Sequence, residues 1–272
     1  TNPQKRVSVF ILYRDGKVLL SLLLHMSSGE PEMQEVAANL KSCGARVLAA
    51  FQGSSFANKY KEPCRLVAVS KIKPVELLMA CYNEGHRHFG ENYVQEVMEK
   101  APQMPKDINW HFIGHLQSNK VNKLLEGVPS LFMVETVDKI KLANKLNKGC
   151  ELVKREQPLK VMVQVNTSGE EQKAGCAPDA CLDVVKHIVS NCENLEMAGL
   201  MTIGRYGEGA EECFEVLVKC RETVAGGLGV DPVSLELSMG MSGDFESAIA
   251  LGSTNVRCGS TIFGARDYSK KK

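Results

Sequence analysis

The feature that most constrains the fold of this chain is an alternation of short apolar runs with amphipathic stretches, which begins near residue 65. The runs are rich in β-branched and aromatic residues, as strands are, and the stretches between them have helical periodicity. Eight runs have this character, at 66–70, 86–89, 110–114, 131–135, 160–166, 196–202, 235–239 and 254–259. The predicted helices between them are 74–84, 93–100, 117–126, 137–148, 178–192, 210–225 and 243–251. Eight such units close naturally with right-handed crossovers, so the sequence predicts an α/β fold, a single (β/α)8 TIM barrel.

Two further segments precede the first predicted strand. Residues 32–51 are amphipathic and predict an extra N-terminal helix that packs on the barrel, with Pro63 marking its exit. We therefore assign residues 31–272 to the barrel and residues 1–30 to an atypical N-terminal extension. Within that extension an Asp-Gly pair at 15–16 separates two apolar runs, which suits a β-hairpin. A weak targeting segment is the alternative interpretation.

The charge balance argues against nucleic acid and membrane partners. The formal net charge is +1 and the pI is near 7.5, so no chain-wide field attracts the protein to polyanions. The basic run Lys270–Lys272 is interpreted as a solvated tail. The apolar runs within residues 7–25 are interrupted at residues 14–17 and are too short to span a bilayer.

The cysteines and histidines do not form a recognisable framework. Ten cysteines are scattered without a CxxC pair or a zinc-like spacing, which predicts reduced thiols in an intracellular protein. His111 and His115 fall on a strand and its end instead of one helix face, and His86 and His88 lack a carboxylate or cysteine at ligand spacing. No metal site is predicted. The expected location is the cytoplasm, with mitochondria as the alternative left open by the unusual N-terminus.

Polar residues follow most of the predicted strands, and the carboxyl ends of barrel strands share one face. Lys71 comes directly after the first strand, in RLVAVSKIKP, and would extend from an apolar run into the mouth of the barrel. A desolvated lysine favours the neutral amine, which is the form that condenses with an aldehyde to give a Schiff base. A lysine that merely reaches out of a strand end is the alternative, and Lys73 fits that description better.

The loops after the seventh and eighth strands predict a phosphate site. Gly259 and Ser260 leave the eighth strand, and Ser238 and Ser242 lie at the end of the seventh. Barrels commonly bind phosphate here, at the start of a short helix with unpaired amides. A tight turn without a ligand would need the same glycines and serines. Arg257 is a candidate partner for a pyridine ring nitrogen, and Asn92 is a candidate donor to a ring hydroxyl or the Schiff-base region.

Together these segments resemble the family of proline synthetase co-transcribed homologues. The resemblance is carried by RLVAVSKIKP, HRHFGENYVQE, WHFIGHLQSNK, LFMVETVDK, KVMVQVNTSGEEQKAG, AGLMTIG, LELSMGMSGDFESAIALGSTNVR and GSTIFGARDYSKK, in order over residues 65–272. Ile72 stands where a small or polar residue is common in the family, and Cys258 stands where an aliphatic residue is typical.

The resemblance implies a barrel like that of alanine racemase, the fold-type III arrangement of pyridoxal phosphate proteins. It implies pyridoxal 5′-phosphate on Lys71, a phosphate cradle at Ser238, Ser242, Gly259 and Ser260, an arginine at Arg257 near the ring nitrogen, and Asn92 nearby. Members of this family resemble cofactor-handling proteins without established turnover. The implied function is pyridoxal phosphate (vitamin B6) homeostasis.

A carrier is favoured over an enzyme, because racemases of this type take a second catalytic base from an additional β domain that is not expected here. A lone barrel would leave the cofactor open to solvent and the substrate poorly oriented. The alternatives are a pyridoxal-phosphate-dependent racemase or related enzyme, a class I aldolase-like barrel, and an interaction module. Apo-enzymes that receive the cofactor are the expected partners, and the expected state is a monomer or weak dimer.

Overall fold

The computed structural model describes residues 10–14, 17–21, 30–170, 174–205, 207 and 209–265. The predicted hairpin is confirmed: strands β1 (Phe10–Arg14) and β2 (Lys17–Ser21) pair antiparallel, with Arg14 opposite Lys17. Its Asp-Gly turn and the basic run Lys270–Lys272 lie outside the described residues. No helix in the described ranges is both long and apolar enough to span a membrane.

Eight parallel strands form a closed barrel, as predicted. They are β3 (Arg65–Val69), β4 (His88–Glu91), β5 (Asn109–Phe112), β6 (Leu131–Val137), β7 (Leu159–Gln164), β8 (Leu195–Met201), β9 (Glu236–Met241) and β10 (Asn255–Cys258). The strands follow one another around the barrel in chain order, and β10 closes it by pairing with β3, where Val256 lies opposite Leu66. Close approach of β8 and β9 requires Gly199, because a Cβ there would lie 2.0 Å from the carbonyl oxygen of Glu236.

The helices cover the outside of this barrel. They are α1 (Glu30–Gln52), α2 (Val75–Asn83), α3 (Val94–Lys100), α4 (Val121–Gly127), α5 (Ile140–Leu152), α6 (Cys181–Asn191), α7 (Ala210–Leu228), α8 (Phe245–Ala250) and α9 (Ser260–Phe263). The predicted extra helix is α1, whose buried residues recur every three or four positions and which packs on α2, α8 and α9. It ends at Gln52, so Pro63 is not its exit.

One predicted strand is displaced. The second strand is expected at 86–89 but runs from His88 to Glu91. Gly85 has a positive φ of 88°, which turns the chain after α2, and the ring of His86 hydrogen bonds to the carbonyl oxygen of His88. The two-residue shift brings Glu91 into the strand and fully buries it, which matters for the site below.

Candidate functional site

A cavity of about 260 Å³ opens at the carboxyl ends of the barrel strands. It is lined by Val69, Lys71, Asn92, Ile113, Met201, Ile203, Gly207, Met241, Ser242, Gly243, Asp244, Arg257, Gly259 and Ser260. Six of the seven site residues predicted from sequence therefore line one cavity, although they come from distant parts of the chain. The barrel closure between β3 and β10 is what brings Lys71 and the residues after 256 into the same cavity.

A buried ion network holds the strand end that carries Lys71. The ammonium group of Lys100 lies 2.7 Å from Oε1 of Glu91, 2.6 Å from Oε1 of Glu96 and 2.8 Å from the carbonyl oxygen of Ser70. The hydroxyl of Ser70 also donates to Glu91, at 2.7 Å. Burial raises the pKa of Glu91, and the charge of Lys100 opposes that shift. Ser70, the residue before Lys71, is thus hydrogen bonded to two buried charged side chains, Glu91 and Lys100.

Ile72, directly after Lys71, has an unusual backbone conformation. Its φ is +60°, in the left-handed region that β-branched residues rarely adopt. The amide of Ile72 donates to the carboxylate of Glu96, which compensates for the strained conformation. Lys73 lies outside the cavity lining, but it is half-buried and not fully exposed, and its ammonium group donates to the carbonyl oxygen of Phe263 at 2.6 Å.

Asn92 follows β4 and contributes an unsatisfied acceptor. Its side-chain Oδ1 is buried, and no group in the described part of the chain donates a hydrogen bond to it. The backbone of Asn92 lies against Gly114, where a Cβ would come within 2.0 Å of the Asn92 carbonyl oxygen. Gly114 is therefore needed for Asn92 to reach this position. A buried acceptor without a donor is costly, which points to a ligand group as its partner.

Two backbone amides converge on the hydroxyl of Ser242, which lines the cavity. The amides of Gly259 and Thr261 donate to the hydroxyl of Ser242, at 3.1 and 3.2 Å. Ser242 and Gly259 both line the cavity, as does Ser260, the first residue of α9. Thr261 belongs to the same Gly-Ser-Thr succession as Gly259 and Ser260, and it supports the wall through Ser242 without lining the cavity itself. Because these amides are occupied by the Ser242 hydroxyl, the donors that the wall offers to an anion are the proton of that hydroxyl and the neighbouring Ser260.

Ser238 does not belong to this wall. It is fully buried, and its hydroxyl lies 2.6 Å from Nη1 of Arg257 and 3.0 Å from Nδ2 of Asn255, and donates to Glu135. This position is beneath the cavity, so Ser238 does not stand where a phosphate donor is expected. The physical reason is depth along the strand: Ser238 lies inside β9, whereas Ser242 comes four residues later, just after the strand ends at Met241.

Arg257 lies in β10 and is buried with both terminal nitrogens hydrogen bonded. Nη1 donates to Ser238, and Nη2 donates to the carbonyl oxygen of Thr202 at 2.8 Å. Burial lowers the pKa of Arg257, and the charge of Glu135 opposes that shift. Sequence reasoning missed Glu135, although a carboxylate within the apolar run LFMVE was an available signal.

His88 and His111 form a hydrogen-bonded pair in the barrel interior. Nδ1 of His88 lies 3.0 Å from Nε2 of His111, and Nδ1 of His111 lies 2.6 Å from Oε1 of Glu135. His115 lies at a separate surface depression beside α3 and α4. Within the described ranges, no group of three histidine, cysteine, aspartate or glutamate residues is arranged to hold a metal ion.

The chain is similar to one protein-family model, to several curated proteins and to solved structures. Residues 54–267 match the family model of the alanine racemase N-terminal domain. The pyridoxal phosphate homeostasis protein of Homo sapiens is 53% identical over 217 residues, which cover 76% of this chain and 78% of the relative. The pyridoxal phosphate homeostasis protein of Caenorhabditis elegans is 46% identical over 227 residues, which cover 79% of this chain and 91% of the relative. The structure of PipY from Synechococcus elongatus with PLP bound is 31% identical, covers 84% of this chain and 100% of its own, and superposes with a TM-score of 0.68.

Proposed function

Because the chain belongs to the family of pyridoxal phosphate homeostasis proteins, with the alanine racemase N-terminal domain as its barrel, we propose that it binds pyridoxal 5′-phosphate and acts in intracellular vitamin B6 homeostasis. The observation that carries the proposal is that Lys71 shares one cavity with Ser242, Gly259 and Ser260. An amine and an anion cradle in the same cavity are what an aldehyde phosphate requires.

Lys71 is the proposed attachment point. The neutral form of its amine would hold the cofactor by condensing with the aldehyde group, with release of water. The buried pair of Lys100 and Glu91 keeps the strand end in place, so that the amine is presented from a fixed backbone.

The remaining residues supply binding and orientation. Ser242, Gly259 and Ser260 would hold the phosphate group, with the Gly259 amide exchanging the Ser242 hydroxyl for a phosphate oxygen. Arg257 would face the ring nitrogen and, as a permanent cation, keep it unprotonated, which weakens the ring as an electron sink. Asn92 would contact the ring hydroxyl or the Schiff-base region. The amide of Asn92 also presents Oδ1, the unsatisfied acceptor, which fits a ligand with a donor group.

We propose a carrier without robust turnover. The weak electron sink expected from Arg257 supports this assignment, since amino-acid chemistry needs the ring to accept electrons. The alternative is a pyridoxal-phosphate-dependent racemase or related enzyme. The similarity of the barrel to the alanine racemase N-terminal domain supports this alternative. Apo-enzymes are the proposed recipients of the cofactor, and the proposed state is a monomer or weak dimer.

The proposed location is the cytoplasm, with mitochondria as the second candidate. All ten cysteines are free and buried, which fits a reducing compartment. The assignment of residues 1–30 to an extension and of 31–272 to the cofactor-binding barrel stays a prediction.

The test is to load the purified protein with pyridoxal phosphate, reduce it with borohydride and map the modified peptide by mass spectrometry. We expect a yellow protein with the reduced cofactor on Lys71, no such adduct in Lys71→Ala, and a normal adduct in the control Lys73→Ala. A colourless protein at cofactor saturation would refute the proposal. In Arg257→Gln, the Schiff base should still form, but the cofactor should dissociate faster on dialysis.

The same samples distinguish carrier from enzyme. A carrier should leave D- and L-amino acids unchanged over many hours. Turnover at ordinary enzymatic rates that disappears in Lys71→Ala would favour the racemase alternative instead.

A further inference from the structure

A chain of polar side chains crosses the interior of the barrel below the cavity, and all its members are buried except His88 at its end, which is half-buried. It runs from Arg257 to Ser238, Glu135, His111 and His88, with neighbouring members joined by hydrogen bonds. Glu135 lies on β6, whereas Ser238 and Arg257 lie on β9 and β10, which are not neighbours of β6 in the barrel. These contacts therefore pass through the barrel interior and not along one edge of the sheet.

The carboxylate of Glu135 is held from several sides. Nδ1 of His111 donates to Oε1, the hydroxyl of Ser238 donates to Oε2, and Nδ2 of Asn255 lies 3.3 Å from both oxygens. Burial raises the pKa of Glu135, but the hydrogen bond and charge of His111 and the charge of Arg257 outweigh burial and hold the pKa below its ordinary value. Glu135 is therefore an anion at neutral pH, with no exposure to solvent.

Arg257 needs such an anion. A buried guanidinium group without a compensating negative charge is strongly destabilising. Two carboxylates act on it electrostatically, Glu135 from below and Asp244 from the cavity wall. Glu135 alone is linked to the guanidinium through a shared hydroxyl, that of Ser238, whose direction is set because it donates to the carboxylate and accepts from Nη1.

We propose that Glu135, acting through Ser238, is a positioning residue that holds the guanidinium group of Arg257 at the wall of the cofactor cavity. The inference rests on the proposed function for the identity of the ligand that Arg257 faces. A barrel interior filled with apolar side chains would avoid the desolvation of two charges. The buried carboxylate is explained by the need to keep a cation in a defined orientation at the cavity.

The test compares two variants with a matched control. Glu135→Gln keeps the shape of the side chain but removes its charge, and Ser238→Ala removes only the link. Ser238→Ala keeps the charges of Glu135 and Arg257 in place, so it tests the inference even if Glu135→Gln fails to fold. The control is Glu236→Gln, which removes a carboxylate from the amino-terminal end of β9, where it pairs with Arg65 at 2.6 Å.

The first measurement needs no cofactor. Side-chain ¹⁵N NMR signals of Arg257, assigned by their loss in Arg257→Lys, should show restricted rotation of the guanidinium group in the wild type. We expect these signals to shift and average in Glu135→Gln and Ser238→Ala and to stay unchanged in Glu236→Gln. Unchanged signals in a folded Ser238→Ala or Glu135→Gln would overturn the inference, as would an equal change in the control.

The second measurement uses pyridoxal phosphate itself. Loss of one charge-assisted hydrogen bond should weaken its binding by about tenfold and shift the visible absorption band of the bound cofactor, while Lys71 remains modified. Binding and spectrum within the range of Glu236→Gln would contradict the inference. If the wild type binds no cofactor but the NMR signals respond, the proposed function fails and the positioning role stands. If the wild type binds cofactor and the signals do not respond, the reverse holds.

Discussion

The ammonium nitrogen of Lys100 lies 2.7 Å from Oε1 of Glu91, and both side chains are buried beside Ser70, the residue that precedes Lys71. Lys100 is the last residue of α3 and Glu91 the last residue of β4, so the pair fixes the helix against the barrel rim. Because the same ammonium group binds the carbonyl oxygen of Ser70, the pair also sets the position of the strand end at the cavity.

Lys100→Met should destabilise the protein substantially. It leaves the buried carboxylate of Glu91 without its cation, and broken buried pairs cost about 3–5 kcal/mol. The control is Lys41→Met, which breaks an exposed pair with Glu84 and should cost less than about 1 kcal/mol. Urea unfolding monitored by circular dichroism gives both values, and equal losses in the two variants would contradict the assignment of Lys100.

Gly114→Ala should disrupt the site because the new Cβ would lie 2.0 Å from the carbonyl oxygen of Asn92. Backbone must move to relieve that clash, so we expect a loss of stability and of cofactor retention. Gly44→Ala is the control, since a Cβ there has no atom within 4 Å and lies inside α1. Alanine should stabilise that helix by about 0.5–1 kcal/mol. Thermal unfolding of both variants tests the prediction, which fails if Gly114→Ala melts like the wild type.

His86 and His88 should make stability fall with decreasing pH. Burial lowers the pKa of His86 to about 4 and of His88 to about 3, with the charge of His111 adding to the shift. Both pKa values lie below the ordinary 6.5, so below pH 6.5 the unfolded chain binds protons that the folded chain does not. The contribution of these two histidines to stability is thus fully present above pH 6.5 and is lost as the pH falls toward their folded pKa values of about 4 and 3.

The measurement for the histidines is urea unfolding at several pH values between 5 and 8. Each histidine should contribute a slope of up to about 1.4 kcal/mol per pH unit below its unfolded pKa. The double variant His86→Gln/His88→Gln should lose that part of the slope. Glu135 has a lowered pKa and would add its own loss below its ordinary 4.5, outside this window. An unchanged slope in the double variant would argue against neutral, buried imidazoles.

The cysteines should react only when the protein unfolds. All ten are buried and free, and burial raises the pKa of Cys64 and of Cys81 to about 12. The thiolate is the reactive form, so burial protects all ten thiols and the raised pKa adds to the protection of Cys64 and Cys81. Hydrogen bonds with Cys258 and Cys181 lower the pKa of Cys43 and of Cys176, and these two thiols depend on burial alone. A thiol reagent at pH 8 should label the native protein slowly and the protein in guanidinium completely. Rapid labelling of several thiols in the native state would be inconsistent with this structure.

The architecture was accessible from sequence because each strand and helix has a local signature. Eight short runs with apolar, β-branched or aromatic residues, separated by stretches of helical periodicity, predict eight units, and all eight strands are found. The displaced second strand shows the limit of local patterns. The alternation of predicted strands and helices places it at 86–89, a run with one aromatic residue, but the turn at Gly85 and the pairing of Phe89 with Trp110 decide its register.

The site was only partly accessible. Lys71, Asn92, Ser242, Arg257, Gly259 and Ser260 were predicted because they follow or end barrel strands, and strand ends converge in every such barrel. Ser238 was assigned to the same wall, yet it lies deeper in the barrel, four residues before Ser242 and against Glu135 and Arg257. Lys100 and Glu96 were not considered, because a helix residue that reaches a strand end leaves no pattern in sequence.

The sequence by itself determined the number and type of elements and which polar residues end the strands, since these depend on neighbours along the chain. Tertiary structure decided which side chains meet across the barrel: Glu135 with Ser238, Lys100 with Ser70, and the amides of Gly259 and Thr261 with Ser242. Such contacts join residues as far apart as 103 positions. They depend on strand register and barrel closure, which arise only when all eight strands pack together.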